Sequence, residues 1–205
     1  MPKNKLMEQD IDFMTIPFGP QHPGSGHFHA KVKCDGESVV ELTPYPGYLH
    51  RGFEKLMEYR THVQNVMLSD RVCVLDPFPN EIGYLNGVEK IAGVEVPERA
   101  KFIRSVMAEL GRILSLITWG GVMSMALGLD SGTRIFWGDR EKLIRLQEMI
   151  TGGRIYPCYL APGGVRVDFR QELMDEILQV LDYLENKMGL YDDLIFYNPT
   201  FVARL

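Results

Sequence analysis

From Ile113 to Leu129 the chain reads ILSLITWGGVMSMALGL, uncharged from end to end and bounded by Arg112 and Asp130. A run of that length and apolarity must leave water, by crossing a bilayer or by entering a protein core. Gly120, Gly121, Gly128, Ser115 and Ser124 thin it. Upstream, Ile103, Val106, Met107, Leu110, Ile113, Leu114 and Ile117 lay down one apolar stripe at helical spacing. The run is therefore read as a buried core helix, opened by Pro97 in its first turn, with its C-terminal continuation. The rest of the chain must pack around it.

The flanking sequence predicts helices over 53–68, over Asn80–Ala92 with Asn80 as N-cap and Gly93 as stop, over Asp139–Ile150 ended by Gly152-Gly153, and over Arg170–Met188. Ahead of them, HFHAKVKC, the pair Asp35-Gly36 and SVVEL read as a strand, a turn and a returning strand. APGGVRVDF, residues 161–169, reads as a tight loop. There is no βαβ rhythm, and no phosphate-binding glycine fingerprint follows any strand. The expected class is α+β, a small N-terminal antiparallel sheet packed on an α-helical bundle. Its expected parts are a loose polar segment over 1–15, a β region over 16–48 and helices over 49–205.

Composition narrows the functions. A net charge of −5 gives no basic field for nucleic acid. Cys34, Cys73 and Cys158 form an odd, widely spaced set without an apolar leader, the pattern of reduced thiols in a cytoplasmic protein.

Three stretches carry chemistry. GPQHPGSGHFH, residues 19–29, holds His22, His27 and His29 in a loop stiffened by proline and glycine, able to present imidazoles to a proton acceptor or a cluster. YLHRGFEKL, residues 48–56, places His50, Arg51 and Glu54 where a helix begins, although a first-turn glutamate favours the helix dipole whatever else it does. RVCVLDPFP, residues 71–79, sets Cys73 three positions before Asp76. A thiolate and a carboxylate make an incomplete metal site, and taken alone the segment favours a buried cysteine acting as a small hydrophobe. Cys158, with no partner nearby in sequence, reads as structural.

In order, GPQHP, GYLHRGFEKL, DR-x-C, NE-x-x-Y, GVEKIAGVEVPERAKFIR, GDRE and APGGV resemble one family across about Pro17–Leu190. It is the large subunit shared by the quinone-reducing arm of respiratory complex I, its deazaflavin-dependent archaeal counterparts, and the membrane-bound nickel–iron hydrogenases. Departures from the pattern separate the branches. Where the hydrogenases carry R-x-C-G-x-C, this chain has Arg71, Cys73, Val74 and Asp76, so the resemblance implies no nickel. Where the quinone branch places a histidine and a tyrosine, this chain has Gly26, with His27 one position late, and Val74. A scaffold that keeps Cys73 but loses both other acceptor signatures is similar to the membrane-bound sulfane-sulfur (polysulfide) reductases of archaea.

The resemblance implies roles and partners. Cys73 is the expected sulfur-binding or redox residue, Asp76 its proton donor or polar neighbour, and Glu54 a proton-path carboxylate. His22 and His50 are expected to line or support the cavity, and Arg51 to lie against a cluster and raise its potential. No cofactor is expected on this chain itself; a [4Fe–4S] cluster belongs to an adjacent small subunit. Ferredoxin-like and other hydrophilic-arm subunits, together with ion-pumping membrane subunits, complete the expected complex, with this chain peripheral on the cytoplasmic side. The family's C-terminal half lies outside these residues, so activity is expected only in the complex. Quinone reduction through His27 and a non-catalytic docking role are the alternatives.

Overall fold

The structure, a computed structural model, describes residues 13–20 and 27–203. The chain divides into two compact units, residues 1–52 and 53–205.

The first unit is a three-stranded antiparallel sheet in the order β1 (Met14–Phe18), β2 (Ala30–Asp35) and β3 (Ser38–Pro44). Asp35 pairs with Ser38, so the two-residue turn is Gly36-Glu37, and Gly36 supplies the positive φ of 60°. The register slips at Lys33/Cys34, which lets Cys34 turn inward while Val39, Val40 and Leu42 stay exposed. The segment expected to be loose through residue 15 already includes Met14 and Thr15 of β1, because β2 offers them backbone partners.

The second unit is helical, so the class is α+β. The single helix expected over 53–68 is two: α1 (Phe53–Glu58) and α2 (His62–Ser69). Thr61 breaks the run as a capping-box residue. Its Oγ1 accepts the Gln64 N–H at 3.4 Å, and Gln64 Oε1 accepts the Thr61 N–H at 3.1 Å. Helix α3 spans Pro77–Ala92 rather than starting at Asn80. Pro77 and Pro79 fit its first turn, where no intrahelical donor is needed, and Asn80 bonds its amide back to the Asp76 carbonyl. Gly93, at φ 66°, ends the helix as expected.

Helix α4 (Glu98–Ala126) is long and apolar enough to cross a membrane. Its stripe of Ile103, Met107, Leu110, Leu114 and Ile117 is nevertheless buried in the helical core. It packs most extensively on α5 (Asp130–Thr151), and the glycines of the uncharged run explain how. A Cβ at Gly120 would lie 2.8 Å from the Phe136 ring, so only hydrogen lets the helices approach this closely. Helix α5 begins nine residues before the expected Asp139 (residue 130 against 139). Asp139 is instead an interior acceptor. It takes bonds from Tyr183 (2.7 Å), Tyr191 (2.8 Å) and Lys187 (2.8 Å), which outweigh the burial that would otherwise raise its carboxyl.

APGGV closes a small hairpin, β4 (Leu160–Ala161) and β5 (Gly164–Val165), rather than an unpaired loop. The last predicted helix is shorter and is followed by others: α6 (Gln171–Glu185), α7 (Met188–Ile195) and α8 (Pro199–Val202). The chain bends after Glu185, where Lys187 turns to its Asp139 partner.

Candidate functional site

The segment joining α2 to α3 carries the two residues singled out by C-x-x-D. Asp70 closes α2, donating its backbone N–H to Val66 at 3.1 Å, and Asp76 precedes α3 without capping it through its side chain. Arg71 secures the root of this segment. Its Nη1 donates to the Met67 carbonyl at 2.8 Å, and its guanidinium lies 5.1 Å from the centre of the Tyr156 ring.

Cys73 is a free, half-buried thiol between apolar residues that face outward, with Val72 54 % and Val74 51 % exposed. Where the resemblance implies a cavity, these residues present an open apolar surface. Val74, Leu75 and Pro77 border a crevice of only about 10 Å³. A larger cleft of about 420 Å³, lined by Lys142, Arg145, Glu176 and Tyr183, is made by α5 and α6 instead.

Asp76 is oriented inward. Its Oδ1 is buried without a hydrogen-bond partner and sits in the space that Gly111 of α4 leaves open. Burial raises its carboxyl; Arg112 pulls it down and Glu109 pushes it up. Asp76 thus takes up a proton more readily than a free aspartate does.

The other expected residues are distributed. Glu54 is exposed in the first turn of α1, in the same unit as Cys73. His50 and Arg51 belong to the first unit, both exposed, with the His50 backbone N–H donating to Gly47 at 3.0 Å. His22 lies outside the described residues. His27 is exposed. His29 is half-buried, and its Nδ1–H donates to the Gly19 carbonyl at 2.9 Å between the rings of Tyr45 and Tyr48. Among the described residues no three of His, Cys, Asp and Glu gather to hold a metal.

Sequence reasoning missed a second group, directly beneath the segment. Asp70 and Glu81 are both fully buried and their carboxyls are close enough to influence each other. Glu81 Oε2 also accepts the Leu160 N–H at 3.0 Å. Burial, chiefly, raises Glu81 to about 8, and the Leu160 N–H opposes it while Asp70 adds to it. Burial likewise raises Asp70 to about 6, against the pull of Arg71. Cys158 adjoins this pair and is less isolated than its sequence context suggests, for Arg166 Nη2 lies 3.6 Å from its Sγ. It is the one non-glycine described at positive φ, 41°. A signal for Glu81 was present: Phe78, Glu81, Leu85 and Glu89 form one helical stripe, with acids in core positions.

Residues 126–205 match the family described as respiratory-chain NADH dehydrogenase, 49 Kd subunit. An NADH-quinone oxidoreductase subunit of Thermosipho melanesiensis is 44% identical over 191 residues, 92% of this chain and 52% of that protein. The corresponding NADH-quinone oxidoreductase subunit of Clostridium beijerinckii is 42% identical over 198 residues, 96% of this chain and 54% of the relative. Among solved structures, that of the membrane-bound sulfane sulfur reductase, an archaeal respiratory membrane complex, superposes with a TM-score of 0.90 at 37% identity, covering 97% of this chain and 54% of the other. The chain thus spans about half the length of the relatives it matches.

Proposed function

Because residues 126–205 match the respiratory-chain NADH dehydrogenase 49 Kd subunit family and most of the chain aligns with NADH-quinone oxidoreductase subunits, we propose that it serves a membrane-bound, ion-translocating respiratory oxidoreductase and reduces sulfane sulfur at Cys73. The observation that carries this reading is a free thiol presented on an apolar surface, next in sequence to a valine that offers a quinone no hydrogen-bond donor. The likeness in fold to a sulfane sulfur reductase supports it.

In this reading the Cys73 thiolate attacks a terminal sulfur of polysulfide. A Cys–S–S⁻ persulfide forms and a polysulfide one sulfur shorter leaves. Two electrons and one proton then cleave the S–S bond, releasing HS⁻ and restoring the thiolate. Asp76, half-buried with its carboxyl raised by that burial, would supply the proton. A [4Fe–4S] cluster in an adjacent small subunit would supply single electrons originating from reduced ferredoxin. Arg51 and His50 would face that neighbour with one fixed positive charge and one imidazole, and Glu54 and His22 would relay protons. The complex would sit on the cytoplasmic face of a membrane with ion-pumping subunits.

Homology to quinone oxidoreductase subunits favours a second reading, quinone reduction assisted by His27. The purified complex, given reduced ferredoxin and offered polysulfide, quinone or protons, decides between them. Sulfide formation that Cys73→Ser abolishes is the expected outcome. Quinol formation indifferent to Cys73→Ser would establish the second reading instead.

A further inference from the structure

We propose that Asp70 and Glu81 form a proton-binding site, one proton residing on Glu81 and shared with the Asp70 carboxylate at neutral pH. Both side chains are fully buried, at 0% exposure, where α2 packs on α3, and each carboxyl acts on the other. Glu81 commits Oε2 to the Leu160 N–H, which leaves Oε1 for Asp70. Neither Glu81 Oε1 nor either Asp70 oxygen meets a donor with hydrogen-bond geometry among the described residues. Two ionised carboxylates so placed would be neighbouring like charges, out of water, with three of their four oxygens lacking a hydrogen-bond donor. One proton removes a charge and creates the missing donor, because a protonated Glu81 Oε1–H can donate to Asp70. A metal ion would need more ligands than converge here.

The remaining negative charge is met from each element around it. Arg71, at the end of α2, lies 3.7 Å from Asp70 Oδ2. Arg166 approaches from beyond β5 and attracts Glu81, while the Cys158 thiol and the Leu160 N–H come from the segment leading into β4. Burial raises both carboxyls, in keeping with one retained proton. Asp70 is also the first residue of the segment bearing Cys73, so losing the proton would place a second negative charge at its root. The site does not depend on which acceptor the complex reduces.

Infrared spectra of the full chain, recorded as the pH is raised, test the proposal. The carbonyl band of a protonated carboxylic acid is expected at neutral pH and should disappear with a midpoint near 8. Glu81→Gln should remove that band, and Asp70→Asn, by deleting the neighbouring charge, should shift its midpoint. Absence of the band from the wild-type chain at neutral pH overturns the proposal without any variant. So does a band that persists unchanged in Glu81→Gln, or a midpoint that Asp70→Asn leaves in place.

Discussion

At Gly111 a methyl group would sit 3.0 Å from both Asp76 Oδ1 and the Phe78 ring, so the carboxyl next to α3 occupies space that a glycine of α4 vacates. Gly111→Ala should therefore overpack a buried contact and cost about 1–3 kcal/mol in urea denaturation. It should also displace Asp76 and, under the proposed chemistry, slow sulfide formation while substrate binding at Cys73 persists. A kcat that falls with KM unchanged would express that split. Cys73 and Asp76 were legible in the sequence because both lie in one short near-match to C-x-x-C. The Asp70–Glu81 pair was not. Its geometry depends on the Leu160 N–H, 79 residues from Glu81, and on burial that no local motif records.

Among the elements, the β4–β5 hairpin shows what the family-like motifs do physically. Arg104 of α4 and Glu89 of α3 form a buried pair, with Nη2–Oε1 at 2.7 Å and Nη1–Oε2 at 3.0 Å. Arg104 also donates to the Ala161 and Gly164 carbonyls, and Glu89 accepts the Gly163 N–H. The motifs GVEKIAGVEVPERAKFIR and APGGV are thus halves of one clamp. Replacing Arg104 by Met should cost about 3–5 kcal/mol, measured by chemical denaturation, because Glu89 is left charged and buried. Adding Glu89→Leu to that variant should recover much of the loss, which distinguishes an orphaned charge from a packing defect. The long apolar helix and its glycine stop signals could be read from periodicity. The break at Thr61 could have been, through T-x-x-Q, whereas the early start of α5 could not. There Asp139 looked like a helix opener, and only the distant Tyr183, Lys187 and Tyr191 reveal it as an interior acceptor.

For the molecule as a whole, buried carboxyls of opposite behaviour set the dependence of stability on pH. The Glu89 and Asp139 carboxyls are held below their ordinary values of 4.5 and 3.8. Their contribution is complete above those values and is lost as pH falls through the lowered ones. Asp70 and Glu81 act in the reverse sense, raised from 3.8 to about 6 and from 4.5 to about 8. Across those windows the folded chain binds more protons than the unfolded one. Stability therefore declines as pH rises, by about 1.4 kcal/mol per pH unit for each extra proton held, and levels off above the folded values. Together these place the maximum in the mildly acidic range rather than above neutrality. Urea midpoints measured against pH should show a falling alkaline limb, which Glu81→Gln flattens while leaving the acid limb in place. A maximum above pH 8, or an alkaline limb that Glu81→Gln does not change, would contradict a proton held between α2 and α3.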